Sequence, residues 1–173
     1  MVSATAKFFR GRSPVRDGRM AVSVAIILLF SAPGAASDPS AAQLPPLLSA
    51  VNNYRANHDR RPLTSDSRLT RAAESQARYS ARTGLLDHTG HLGLELGKRL
   101  DAVNYRWSRA GENLAAGQRN AADVIDHWSE SPSHRRVMLG EAYWEAGVAM
   151  VKNGDGTYYW ALITATPLAT LGK

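Results

Sequence analysis

GVAMVKNGDGTYYWALIT, residues 147–164, is the stretch that decides the fold class. Its flanks, residues 147–151 and 157–164, are short apolar runs with the β-branched and aromatic content typical of strands. The KNGDG segment between them supplies two glycines, which can adopt the positive φ that a tight reversal needs. The stretch therefore predicts an antiparallel β-hairpin.

Upstream of this hairpin the apolar residues follow the period of a helix. The predicted helices span residues 46–58, 67–83, 94–103 and 120–128, with one further turn at 135–139. Pro132 is expected to end the helix before it, and residues 106–116 are expected to form a strand interrupted at Gly111. Helices followed by antiparallel strands with short connections favour an α+β fold over a parallel doubly wound sheet.

Length and composition limit the classes of protein that fit. The chain has 173 residues, 44% of them apolar, which suits one domain and a targeting segment. It contains no cysteine, which excludes disulfides and a lipoprotein anchor. It also lacks a phosphate-binding Gly-Lys loop, a zinc knuckle and a His-Glu-x-x-His motif.

The net charge of +6 is concentrated in the N-terminal segment. Five basic residues and one acid among residues 1–36 leave +4 there and only +2 over the rest. A nucleic-acid-binding domain would show a clustered basic face, whereas the arginines after residue 36 are scattered. We therefore expect no nucleic-acid partner.

The N-terminal segment has the features of a signal peptide. Basic residues precede the apolar run of residues 21–30, and Pro33 and three small residues follow. The prediction is a signal peptide over residues 1–36, cleaved after Ala36, a linker over 37–46 and one domain over 47–173. The apolar run is short for a bilayer crossing, and an uncleaved membrane anchor is the alternative. Contact with a membrane is expected only through this segment, before cleavage.

Three polar residues lie in segments whose local sequence pattern does not explain them. His88 lies in a loop rich in glycine, Glu112 lies in an apolar strand, and His134 follows a helix that ends in a tryptophan. Together they could hold a divalent metal ion, or the acid could orient a histidine that acts as a general base. His91 is the rival of His88, and a purely structural role for all three is the plain alternative.

Several segments, taken together and in order, resemble the CAP superfamily of cysteine-rich secretory, antigen 5 and pathogenesis-related proteins, in the form of bacterial members with an SCP-like extracellular domain. AGENLA, residues 110–115, is the most specific of them. The others are NYRANH (53–58) with PL (62–63), LTRAAESQA (69–77), HTG (88–90), WSESPSHRRVML (128–139), AGVA (146–149) and YYW (158–160).

The resemblance implies an α-β-α sandwich, in which a small antiparallel sheet lies between helical layers, and a cleft of two histidines and two acids. Carried over by motif, the cleft residues are His88, Glu112 and His134, with the two histidines as metal ligands. Many relatives place the second acid three residues after the tryptophan, where this chain has Ser131, so Glu130 is the substitute, one position away. The only cofactor that this implies is a divalent cation such as zinc.

The resemblance also implies a secreted or cell-envelope location and two functions. The first is a binding module for a hydrophobic small molecule, such as a lipid or sterol, or for a component of the cell envelope. The alternative is a metal-assisted or general-base hydrolase that acts on peptides or cell-wall polymers. The sequence shows no evident nucleophile and does not decide whether the protein is an enzyme.

Overall fold

The computed structural model describes residues 5–10, 47–90 and 93–168. Helices and strands alternate irregularly along these ranges, and the predicted C-terminal hairpin is present as the last two strands. In chain order the elements are β1 (Thr5–Arg10), α1 (Leu47–Ala56), β2 (Thr64–Ser65), α2 (Ser67–Thr83), α3 (Leu96–Ala102), β3 (Trp107–Ala116), α4 (Ala121–Ser129), α5 (Pro132–Leu139), β4 (Glu145–Lys152) and β5 (Tyr158–Pro167).

All five strands belong to one sheet of order β1-β3-β5-β4-β2. Its centre is antiparallel, with Glu112 of β3 opposite Ile163 of β5 and Val148 of β4 opposite Leu162. β2 is the exception to the predicted antiparallel sheet, since its two residues run parallel to β4. There the Thr64 amide donates to the carbonyl of Trp144 at 2.9 Å, so the chain pairs with the free edge of β4 as it passes toward α2.

Side chains at alternate strand positions enter two separate cores, one on each face of the sheet. Toward α2 and α3 the sheet contributes Ala110, Leu114, Ala149, Ala161, Ile163 and Ala165. Toward α1, α4 and α5 it contributes Ala115, Ala146, Val148, Trp160 and Leu162. The chain is therefore an α-β-α sandwich, as the family resemblance implied, and the α+β class predicted from the order of elements is confirmed.

α2 lies close to the sheet because small residues line the contact. A Cβ atom on Gly147 of β4 would lie 2.0 Å from the carbonyl carbon of Leu69, so no side chain fits at that position. The helix spans Ser67–Thr83 as predicted, and Gly84 ends it in the left-handed conformation with φ of 74°.

Several helix boundaries differ from the prediction by one to three residues; α3 spans Leu96–Ala102 rather than 94–103, and α4 spans Ala121–Ser129 rather than 120–128. α5 begins at Pro132 and runs for 8 residues, so the single turn predicted over 135–139 is too short. Proline suits the first turn of a helix, because its missing N–H would have no intrahelical partner there. α1 ends at Ala56 rather than at residue 58, and Asp59 then takes a positive φ of 55°.

β1 lies within the segment that the sequence predicts to be a signal peptide. It pairs antiparallel with β3, with Lys7 opposite Glu112, and the Lys7 ammonium lies 3.2 Å from the Glu95 carboxylate. The rest of that segment, its cleavage site and the linker over 37–46 lie outside the described residues and stay predictions. Among the helices described, none combines the length and apolar character needed to cross a bilayer.

Candidate functional site

The loop between α2 and α3 carries His88 and is held by short local contacts. Asp87 accepts hydrogen bonds from the hydroxyl of Thr89 at 2.6 Å and from its amide at 2.9 Å. These two bonds, the hydroxyl first, lower the pKa of Asp87 below its usual range. Gln76 of α2 donates to the Asp87 carbonyl at 2.7 Å and so ties the loop to the helix. The backbone on both sides of His88 is thereby fixed.

Glu112 is the buried acid of the site, with a side chain that is 0% exposed. β3 runs through Gly111 without the predicted interruption, and its only register shift lies between Trp107 and Arg109. Strand alternation turns Glu112 toward α2 and α3, between two apolar residues of that core. A carboxylate in such a place is costly unless a cation pairs with it.

Arg99 of α3 supplies that cation. Its Nη1 donates to Oε2 of Glu112 at 2.8 Å and its Nη2 to Oε1 at 2.9 Å, a bidentate pair in which Arg99 is only 4% exposed. Nη2 also donates to the His88 carbonyl at 3.1 Å, and Nε donates to the Leu94 carbonyl at 3.2 Å. One guanidinium group therefore neutralises Glu112 and anchors the loop that carries His88.

His88 completes the cluster, and its Nδ1 lies 2.8 Å from Oε1 of Glu112. Because an ionised carboxylate can only accept, Nδ1 is the nitrogen that carries the proton in this contact. The other nitrogen, Nε2, is buried and has no hydrogen-bond partner within the described part of the chain. General bases and metal-ligating histidines share this arrangement, in which one nitrogen is held and the other is available.

His134 belongs to the layer on the other side of the sheet. Asn113, the neighbour of Glu112, points to that side and donates to the His134 carbonyl at 3.1 Å. The His134 ring is buried, with centroids 6.4 Å from the rings of His127 and Trp128. The structure thus brings His88 and Glu112 into contact, while His134 is joined to β3 by the hydrogen bond from Asn113.

Glu130, the predicted substitute for the second acid, is the exposed C-cap residue of α4. Over the ranges described, no hydrogen bond joins its carboxylate to His88, Glu112 or His134. The chain instead turns sharply between α4 and α5, where the hydroxyls of Ser131 and Ser133 lie 2.9 Å apart.

A metal ion would find one donor atom here that has no partner among the described residues, the buried Nε2 atom of His88. Both Glu112 oxygens are engaged by Arg99, and nowhere in the ranges 5–10, 47–90 and 93–168 do three His, Asp or Glu side chains lie close enough to hold a metal. These residues do not form the three-ligand or four-ligand set of a dedicated zinc centre. Metal binding by His88 and His134 stays a prediction, and His91, the rival of His88, lies outside the described residues.

Sequence reasoning missed Arg99, the residue that makes the buried acid tolerable. A signal was present, because Leu96, Arg99 and Leu100 share one face of α3 and all three are buried. A charged residue on the apolar face of a short helix predicts a buried partner of opposite charge. Gly90 was likewise missed: at φ of 62° its missing Cβ leaves room for the Gln76 side chain.

Comparison with known proteins gives a family match over a range that includes these residues. The model of the cysteine-rich secretory protein family (CAP) matches residues 48–164. The uncharacterized protein YkwD of Bacillus subtilis (strain 168) is 25% identical over 105 residues, which cover 61% of this chain and 41% of YkwD. The chain thus spans about two fifths of the length of that curated relative.

Three solved structures share the fold. An outer surface protein of Borrelia burgdorferi superposes with a TM-score of 0.66 at 20% identity, covering 70% of this chain and 90% of its own. An extracellular protein of Bacillus anthracis that contains an SCP domain gives 0.57 at 25% identity, with 65% and 37% covered. A cysteine-rich secretory protein of Staphylococcus aureus gives 0.58 at 20% identity, with 69% and 36% covered.

Proposed function

The chain belongs to the cysteine-rich secretory protein (CAP) family, and from that premise we propose that it is a secreted module that binds a ligand or a cell-envelope component outside the cell. The predicted signal peptide supports this location. So does the likeness to a Bacillus anthracis protein that is described as extracellular. The ligand classes that the family suggests are a hydrophobic small molecule, such as a lipid or sterol, and fragments of the cell wall.

The observation that most favours a binding role over catalysis is that both carboxylate oxygens of Glu112 already accept hydrogen bonds. Both of its oxygens accept from Arg99, and one also accepts from His88. A carboxylate that transfers protons to or from a substrate needs a reachable oxygen, and Glu112 is fully buried. The hydrogen-bond acceptor without a partner in the described part of the chain is Nε2 of His88, which is itself buried, so a ligand hydroxyl or amide would have to displace neighbouring side chains to reach it.

Equilibrium dialysis of the full chain against fatty acids, sterols and wall fragments tests this proposal. We expect saturable uptake of one class, and about tenfold weaker uptake in His88→Gln, since a well-placed hydrogen bond is worth about 1 kcal/mol or more. His58→Gln is the matched control, because His58 is exposed and its Nδ1 contacts only the Tyr54 carbonyl among the described atoms. Absence of saturable uptake in all three classes would contradict the binding role.

The alternative, a hydrolase for peptides or wall polymers, is supported by the contact between His88 and Glu112. In that role His88 would take a proton from water while Glu112 holds its tautomer. Glu112→Gln and His88→Gln would then abolish turnover while the domain stays folded. Turnover that survives both substitutions would exclude His88 and Glu112 as its catalytic groups, and no turnover in the original chain would exclude the hydrolase.

The predicted divalent cation has a separate test. Zinc titration by calorimetry on the full chain, with His88→Gln in parallel, measures whether Nε2 is a ligand. A binding heat that the substitution removes would support zinc, whereas the same heat in both proteins would place any zinc elsewhere.

A further inference from the structure

Arg55 of α1 is a cation buried without an acidic partner. Its Nε donates to the Arg61 carbonyl at 2.8 Å, and its Nη1 donates to the carbonyls of Met138 at 2.5 Å and Gly140 at 3.3 Å. Its Nη2 is buried and has no hydrogen-bond partner among the residues that the structure describes. Burial first, and then the charges of Arg61 and Arg60, lower the pKa of Arg55. Among the described residues, its hydrogen-bond acceptors are all backbone carbonyls, whose dipoles compensate this buried charge.

Arg55 lines a surface pocket of about 500 Å³, here termed the arginine pocket. The lining residues are Arg55, Asp59, Arg60, Arg61, Glu141 and Trp144. Three guanidinium groups against two carboxylates give the pocket an excess of positive charge. Nε of Arg60 is also buried without a hydrogen-bond partner in the described ranges, although its Nη2 pairs with Glu141 at 3.1 Å.

An exposed aromatic ring stands beside these charges. Trp144 is 54% exposed, and the guanidinium carbon of Arg61 lies 4.0 Å from its ring centroid. Stacking on a ring holds the guanidinium plane of Arg61 in place, and its Nη2 also donates to the carbonyls of Glu141 at 3.4 Å and Tyr143 at 3.3 Å. The arginine pocket therefore combines oriented donors, unused N–H groups and uncompensated charge.

We propose that the arginine pocket binds a phosphate group, with Arg55, Arg60 and Arg61 as donors. Guanidinium groups match the oxygens of phosphate and of carboxylate, but three of them offer more donors than a carboxylate with two oxygens can accept. A phosphate would give the buried N–H groups of Arg55 and Arg60 an acceptor and would balance the excess charge. The phosphate could belong to a soluble compound or to a lipid headgroup.

This site is independent of the cleft at Glu112, because the two share no residue. Its failure in the test below would leave the proposed role of His88 unaffected, and failure of that role would leave the arginine pocket unaffected.

Calorimetric titration of the full chain with inorganic phosphate, and sedimentation with phosphatidylglycerol vesicles against phosphatidylcholine vesicles, test the proposal. We expect Arg60→Gln and Arg61→Gln each to weaken binding by about tenfold, because each removes a charge-assisted hydrogen-bond donor. Glu141→Gln should instead tighten binding by about twofold to fivefold, since it removes a carboxylate that competes for Arg60.

The matched controls are two substitutions on α2, on the other face of the sheet. Arg71→Gln and Glu74→Gln should leave binding to phosphate and to vesicles unchanged. Binding to inorganic phosphate would support a soluble ligand, and binding to phosphatidylglycerol vesicles alone would support a headgroup. No saturable binding to either, or a Glu141→Gln protein that binds no more tightly than the original, would overturn the proposal. A loss in Arg71→Gln equal to that in Arg60→Gln would overturn it as well.

Discussion

Among single residues, Arg99 is predicted to stabilise the fold by pairing with the buried Glu112. Replacing it by methionine leaves Glu112 buried without a cation and removes the donors to the carbonyls of His88 and Leu94. Loss of one partner of a buried ion pair costs about 3–5 kcal/mol. We therefore expect Arg99→Met to lower the free energy of unfolding by that amount, measured by urea denaturation.

Lys98→Met is the control for this substitution, since Lys98 is the exposed neighbour on α3. It should change the free energy of unfolding by less than about 0.5 kcal/mol. If Arg99→Met lowered the free energy of unfolding no more than Lys98→Met does, the ion pair with Arg99 would not be the interaction that offsets the burial of Glu112.

At this scale the sequence indicates residue types better than it indicates contacts. His88 and Glu112 could be singled out because each is polar in surroundings that give it no local reason to be there. Their 2.8 Å contact depends on how the loop crosses the sheet, which no spacing along the chain encodes. Arg99 was overlooked because an arginine on a short helix is ordinarily solvated. Its position between Leu96 and Leu100 is the clue to its burial.

At the scale of elements, the start of α2 depends on Asp66. Its Oδ1 accepts from the amides of Arg68 at 2.8 Å and Leu69 at 3.2 Å, and both carboxylate oxygens accept from the Arg68 side chain. Burial alone would raise the pKa of Asp66, but the Arg68 side chain and the two amides outweigh it and lower the pKa. Asp66→Ala should cost about 1 kcal/mol at neutral pH.

The pH dependence of this cost has a definite sign. Because the pKa of Asp66 is lower in the folded state, its ionised form stabilises the fold above the unfolded pKa, and this contribution is lost as the pH falls through the folded pKa. The difference between the original chain and Asp66→Ala should therefore narrow in acid, as measured by denaturation at several pH values. Asp155→Ala, in the exposed hairpin loop, is the control at neutral pH and should change the free energy of unfolding by less than about 0.5 kcal/mol. A pH-independent cost at Asp66 would contradict the assignment of a charged cap.

Element boundaries were predictable where a residue has one dominant local preference. Gly84 ended α2 as expected, since the left-handed conformation favours glycine. Pro132 has two preferences, to end one helix and to begin the next, and the prediction rested on the first alone. The sequence of β2 carries no strand pattern. Its two residues are a strand because they pair with β4.

At the scale of the whole molecule, β1 covers an edge of the sheet that the predicted cleavage after Ala36 would uncover. β1 pairs with β3 from Arg109 to Leu114, along the strand that carries Glu112. We expect alternate amides of that strand to exchange with solvent at least about tenfold faster in the chain that begins at Ser37 than in the full chain. Hydrogen exchange read residue by residue by NMR measures this.

The amides of β5 that pair with β4 are the internal control and should keep their protection in both forms. Equal protection of β3 with and without residues 1–36 would show that β1 does not seal this edge.

The layered architecture followed from the order of elements, because helices and an antiparallel hairpin have few ways to bury their apolar faces. Which side of β3 each polar residue faces was not predictable. Glu112 and Asn113 are neighbours in sequence, yet alternation sends one toward α3 and the other toward α5. That alternation places His88 and His134 in different layers.

His88 is the central residue of the proposed site, because Glu112 holds its Nδ1 while its buried Nε2 has no hydrogen-bond partner among the described residues. Two-bond proton–nitrogen NMR of the histidine side chains in the full chain at neutral pH tests this directly. We expect the neutral His88 ring to carry its proton on Nδ1, and Glu112→Gln to shift the population toward the other tautomer. A His88 ring protonated on Nε2 in the original chain would contradict the account.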